Sequence, residues 1–181
     1  LLRDQAALME ALLAAYNVTH NVRWREWAEA MAARIEEAFT AELLAGFFDR
    51  PNRESVLTLG MEGDAFRPYF DMIGSPDNAQ LALRFDQLYY LTGNEDWRVT
   101  ADGVIASLSG VLAEGVNRSV ASYMNAILYH LQAPPQLLIV GPKDEIALKM
   151  ERVIRDSGSI VTLVQHIQHD DLLPLPPFMR E

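Results

Sequence analysis

Four histidines, twenty-five carboxylates and no cysteine bound the chemistry open to this 181-residue chain. Without thiols there is no disulfide, no thiolate nucleophile and no thiol redox step. The acidic residues that stand out are Asp71 and Asp77, with Asn78 beside them, in the run Asp71-Met72-Ile73-Gly74-Ser75-Pro76-Asp77-Asn78. Carboxylates on a loop that enters a helix can hydrogen-bond sugar hydroxyls or act as an acid–base pair. The same residue types also cap helices and fix loops, and helix starts favour them in any case. His166-Ile167-Gln168-His169-Asp170-Asp171 contains metal-ligand residue types. An H-x-x-H pair on an extended segment turns its rings to opposite faces, so this run reads as solvated tail. Trp24, Trp27 and Trp97 could stack on sugar rings, but their positions in apolar stripes suit helix packing. Gly141-Pro142-Lys143 follows a β-type run without the glycine spacing of a phosphate loop.

The elements that must position these residues are mostly helical. Half of the residues are hydrophobic, enough for a real core. Apolar periodicity predicts a helix over 4–17, with Leu8, Leu12 and Ala15/Tyr16 on one face. A second runs over 23–40, with Trp24, Trp27/Ala28, Met31, Ile35 and Ala38/Phe39 inward. Gly46-Phe47-Phe48-Asp49 predicts a short extended piece and a turn. Residues 54–76 read as irregular loop apart from a short strand near 55–59. Helices follow over 77–92, 95–112 and 119–131, the last with Val120, Tyr123/Met124, Ile127/Leu128 and Leu131 inward. Gly93 is a C-cap signal and Pro134-Pro135 a stop. A β-type run over 136–140, a helix over 144–156 and a β-type run over 160–164 predict a small parallel βαβ unit. Residues 172–178 alternate proline and leucine and read as an extended arm.

The helices repeat. At an offset of 73 residues, Asp4-Gln5-Ala6-Ala7-Leu8 lies on Asp77-Asn78-Ala79-Gln80-Leu81, and Tyr16 lies on Tyr89. Thr19-His20-Asn21-Val22-Arg23-Trp24 lies on Thr92-Gly93-Asn94-Glu95-Asp96-Trp97. A start signal, a stripe, a turn and an aromatic residue opening a second helix recur together, the mark of a repeated helical hairpin. Trp24 and Trp97 are therefore expected at equivalent buried positions. The fold class expected is mainly α: antiparallel helical hairpins of an incomplete α/α toroid over 1–133, with a βαβ unit and arm over 134–181 packed on them as one domain.

In order and spacing, these segments resemble the C-terminal part of the YyaL-type proteins, the spermatogenesis-associated protein 20 family. The residues that carry the resemblance are Asp4 through Tyr16, Arg23-Trp24-Arg25-Glu26-Trp27-Ala28, Gly46-Phe47-Phe48-Asp49, Leu91-Thr92-Gly93 and Leu138-Ile139-Val140-Gly141. The resemblance implies a six-hairpin, glycosidase-like α/α toroid related to N-acylglucosamine 2-epimerases, preceded in the family by a thioredoxin-like domain. That domain and its Cys-x-x-Cys motif have no counterpart in this chain. The family's Asp followed by Pro-Ser-Gly-Asn-Ser is matched here at Asp71 and Asn78 but not at its Pro, Ser, Gly and final Ser positions. No histidine of this chain matches the epimerases' catalytic histidines.

Function divides into two expectations. One is a non-catalytic or carbohydrate-binding toroid domain, with Asp71, Asp77 and Asn78 as ligand-binding residues and a small sugar as partner. The other is a sugar-processing enzyme, epimerase- or glycosidase-like, with an acidic site in the toroid funnel. No cofactor or metal is expected. A net charge of −10 disfavours nucleic acid and anionic membrane surfaces as partners. No apolar run approaches the roughly 20 residues of a membrane helix. No signal peptide is visible, so the sequons at Asn17 and Asn117 read as chance matches and the cytoplasm as the compartment. The opening Leu1-Leu2 fits a chain that continues upstream, processing, or disorder. Five helices cannot close a ring of twelve, so self-association, or packing on an upstream part of a parent protein, is expected at the open ends.

Overall fold

The chain's turns are written in small polar residues, and their chemistry sets the architecture. In the computed structural model, which describes residues 1–41, 45–51, 77–109, 118–156 and 163–167, helix α1 runs Leu2–Thr19 and α2 runs Val22–Phe39. Between them Thr19 Oγ1 donates to the Ala15 carbonyl at 2.7 Å, and the His20 N–H donates to the Tyr16 carbonyl at 2.7 Å. Asn21 then caps α2, its Oδ1 accepting from the Arg23 N–H at 3.1 Å. Helices α3 (Asp77–Thr92) and α4 (Glu95–Ser107) are joined in the same way. Thr92 Oγ1 donates to Leu88 at 2.7 Å, the Gly93 N–H to Tyr89 at 2.7 Å, and the Asp96 N–H to Asn94 Oδ1 at 3.1 Å. The 73-residue repeat thus extends to individual hydrogen bonds. The cap residues share their dihedrals too, with φ −83° and ψ 113° at Asn21 and φ −80° and ψ 112° at Asn94.

Helix α5 spans Arg118–Leu131, and α3 packs against α1, α2, α4 and α5. Neighbours on both flanks explain why α3 buries more of its circumference than α1. Leu81 is 0 % exposed, while its repeat counterpart Leu8 is 45 % exposed, contrary to the inward position expected for Leu8. The core of α1 is instead Leu2, Ala6, Met9, Leu12, Leu13 and Tyr16. Trp97 is buried at 8 % exposure, and Trp24 is only half-buried against the same core. Trp27 is 54 % exposed, because Ala28 takes the inward position and leaves Trp27 one helical step round, edge-on to Trp24. On α5, Tyr123 and Ala126 face inward, and Met124, Leu128 and Leu131 face outward. That corrects half of the stripe expected there.

The segment after α2 folds back on the core. Thr40 and Phe47 form an isolated antiparallel bridge, and Phe47 stacks on Phe85 at 5.7 Å, with Phe85 tilted against Trp97 at 5.8 Å. The expected strand near 55–59, the loop over 54–76 and the 172–178 arm lie outside the described residues. Helix α4 ends at Ser107 with Leu108 as its C-cap, short of the 95–112 helix expected.

The C-terminal portion is the parallel βαβ unit expected. Strand β1 (Gln136–Val140), helix α6 (Glu145–Asp156) and strand β2 (Leu163–Ile167) follow in order. Gln136 pairs with Leu163 and Val140 with Ile167. Strand β2 runs to Ile167, three residues beyond the 160–164 run expected, and residues 160–162 lie outside the described residues. Asp144 caps α6 through 3.0 Å bonds from the N–H groups of Ile146 and Ala147. The unit closes over the turn ends of both helix pairs. Leu163 enters the main core, Gln165 Nε2 donates to the Leu91 carbonyl at 3.1 Å, and Lys143 Nζ donates to the Thr19 carbonyl at 3.3 Å. No helix among the described residues is long and apolar enough to cross a membrane.

Candidate functional site

Of the three residues singled out as ligand-binding, Asp71 lies outside the described residues. Asp77 is the first residue of α3 and is half-buried. Asn78, the second, is buried, and its amide grips the Phe47 backbone at both ends. Its Oδ1 accepts from the Phe47 N–H at 2.8 Å, and its Nδ2 donates to the Phe47 carbonyl at 3.0 Å. Helix α3 starts here because Asp77 suits a first turn, and Asn78 then ties that turn to the Gly46–Asp49 segment. The pair of bonds is a loop-fixing arrangement, so substituting Asn78 perturbs folding as well as any ligand contact.

Two clusters of titratable side chains come together elsewhere. The first joins α3, α4 and α5. His130 Nδ1 lies 3.0 Å from Asp86 Oδ1 and 3.1 Å from Oδ2, and its Nε2 lies 3.6 Å from Asp102 Oδ1. Asp86 is 0 % exposed. Burial pushes its carboxyl up to about 6; His130 and Arg98 oppose the rise and Asp102 adds to it. Arg98 in turn sits over the Tyr89 ring at 5.0 Å. Such a pair can share a proton, but both partners are held inside the packed helices. Its main physical effect is to lock α5 to α3 and to make that lock sensitive to pH.

The second cluster lies where the βαβ unit meets the α1–α2 turn. Glu151 comes from the inner face of α6, where Ala147 one turn earlier is also buried. Glu151 Oε1 stands between two imidazoles, 3.5 Å from His20 Nδ1 and 3.4 Å from His166 Nδ1, and all three side chains are buried. His166 Nε2 lies 2.9 Å from the Gly141 carbonyl, which only accepts, so that nitrogen carries a hydrogen. An attractive contact at the other ring nitrogen then needs a second proton on the ring or one on the carboxylate. The His166 side chain is buried on β2, which corrects the solvated-tail reading at the start of the 166–171 run; residues 168–171 lie outside the described residues. Beside this cluster opens a cavity of ≈ 340 Å³ lined by Thr19, His20, Lys143, Leu148, Glu151 and Arg152, among others. His20 reaches it from a left-handed backbone, φ 52° and ψ 24°, a conformation uncommon for a residue with a Cβ.

Among the described residues, no group of three or more His, Asp or Glu side chains could hold a metal ion. Reasoning from the sequence passed over His20, Glu151, Asp86 and His130. The repeat itself carried a signal for two of them. His20 stands where the second turn has Gly93, and Asp86 stands where the first helix has the buried Leu13. Glu151 had no such signal, because a glutamate on a charged helix is ordinarily solvated. No protein-family profile matches this chain, and no curated protein is significantly similar to it.

Proposed function

We propose that the chain is a ligand-binding domain built from repeated helical hairpins, part of an α/α toroid of the kind found in the YyaL-type proteins, and that it binds rather than transforms its ligand. The two turns with matching hydrogen bonds support descent from one hairpin. Among the described residues, the interior acid–base pair Asp86–His130 is tied up between helices, which favours a structural role over catalysis. The observation that carries the reading is His20. A histidine replaces glycine at a left-handed turn position, and its ring lies at an open cavity beside a buried carboxylate. Backbone strain kept at the edge of a cavity is characteristic of binding and catalytic positions.

A thermal-shift screen against monosaccharides and disaccharides tests it. The expected result is a rise in Tm for a sugar-sized ligand that His20→Gly abolishes. Turnover of a sugar substrate that Asp77→Asn eliminates would overturn the non-catalytic reading in favour of an acidic site at the start of α3.

We further propose that a second copy of the chain packs on α5. Helix α5 packs on α3, which also packs on α1, so in a toroid series its outward face would meet a further helix. That face exposes Met124, Leu128 and Leu131, which favours burial against another helix. Light scattering checks this: a mass of two chains is expected, lost in Leu128→Lys, and a monomer at high concentration would overturn it.

A further inference from the structure

We propose that the cavity at the α1–α2 turn takes an anionic group, a phosphate monoester or a carboxylate carried by a small organic molecule. This inference rests on the preceding reading of the cavity as a binding site and adds the charge of its ligand.

The charge pattern argues for it first. The chain as a whole carries −10, yet two exposed cations, Lys143 and Arg152, stand at this one cavity. The carboxylate that lines it, Glu151, is buried between two imidazoles, so the exposed charges among the lining residues are the two cations. Lys143 is already positioned, because its Nζ donates to the Thr19 carbonyl at 3.3 Å. One hydrogen is thereby committed, and an ammonium has two more to offer. Arg152 adds a planar fork that matches carboxylate and phosphate geometry.

The backbone argues for it second. The chain reaches the α1–α2 and α3–α4 turns through the same hydrogen bonds, and the second turn meets its left-handed requirement with Gly93 at φ 69°. The first turn uses His20 at φ 52° instead. The side chain that this strain supports lines the cavity, with its Nδ1 3.5 Å from Glu151 Oε1. A cavity of ≈ 340 Å³ falls at the lower end of the roughly 300–1,000 Å³ range of small-molecule sites.

The experiment uses the full chain with four probes in calorimetry and thermal shift: glucose, glucuronate, glucose 6-phosphate and inorganic phosphate. At least one anionic probe is expected to bind, with glucose much weaker and with affinity falling as salt rises. Binding to glucose 6-phosphate and phosphate assigns a phosphate site; binding to glucuronate alone assigns a carboxylate site. Lys143→Gln and Arg152→Gln should each weaken binding about tenfold or more; Arg152→Gln, at an exposed side chain, should leave the ligand-free Tm unchanged, whereas Lys143→Gln also loses the bond to Thr19 and is judged by its affinity. His20→Gly, the residue the second turn already uses, keeps the turn and should lower affinity as well. If glucose binds as tightly as its anionic analogues, and Lys143→Gln changes nothing, the anion site is overturned while the binding domain stands. If none of the four probes binds at millimolar concentration, the anion site is rejected. Saccharides that bind in the wider screen would then still support the binding domain.

Discussion

The turns Thr19-His20-Asn21 and Thr92-Gly93-Asn94 are one device used twice. In both, a threonine hydroxyl closes the outgoing helix, a left-handed residue reverses the chain, and an asparagine caps the incoming helix. A tryptophan follows three residues later, its N–H donating to the cap carbonyl at 3.0 Å for Trp24 and 3.3 Å for Trp97. Beyond the turns the copies diverge. Gly93 serves the backbone alone, whereas His20 accepts the strain and meets Glu151. Leu13 of the first copy packs in the core, whereas Asp86 of the second engages His130. Where two copies share a backbone solution, the residues that break the match are the ones that need a separate physical reason.

The largest expected difference between the copies is in the tryptophans. Trp97→Ala should cost about 3–5 kcal/mol in chemical denaturation. Trp24→Ala should cost less than half as much, because Trp24 is only half-buried. Equal losses would mean that the first helix pair is packed as deeply as the second.

Next is the pH dependence that Asp86 gives the second copy, where the first has the uncharged Leu13. Asp86 titrates near 6 in the folded chain and near 3.8 unfolded, so the folded state holds its proton longer. The carboxyl's contribution is thus most favourable below about 4 and is progressively lost as pH rises to about 6. In Asp86→Asn this decline disappears, so the Tm of the variant relative to the wild type should rise across that window. A flat difference would remove the buried-carboxylate account.

Smaller effects probe the turns themselves. Gly93→Ala should cost about 1–2 kcal/mol, the penalty of a Cβ in the left-handed region. The smallest are the caps. Asn21→Ala and Asn94→Ala should each cost about 1 kcal/mol. Agreement between these two within a few tenths of a kcal/mol is the sharpest test of the turn equivalence.

Local chemistry alone determined a good part of this protein. Helix starts at Asn21 and Asn94, the stop before Pro134-Pro135 and strand β1 follow from propensity, caps and breakers acting within a few residues. So did the 73-residue repeat, since equivalent turns need equivalent residue types. Burial was less legible. Leu8 and Leu81 occupy the same register position and differ because α3 packs against four other described helices and α1 against only two. Strand β2 extends beyond its apolar run to Ile167 because pairing with β1 continues through the polar Gln165 and His166. The site was the least legible of all. His20 is more than a hundred residues of chain from Glu151 and His166, and only the docking of the βαβ unit on the first turn brings its ring nitrogen to their carboxylate and imidazole. A lone histidine or glutamate carries no mark of its partner, because the free energy that buries it depends on what the tertiary fold sets beside it.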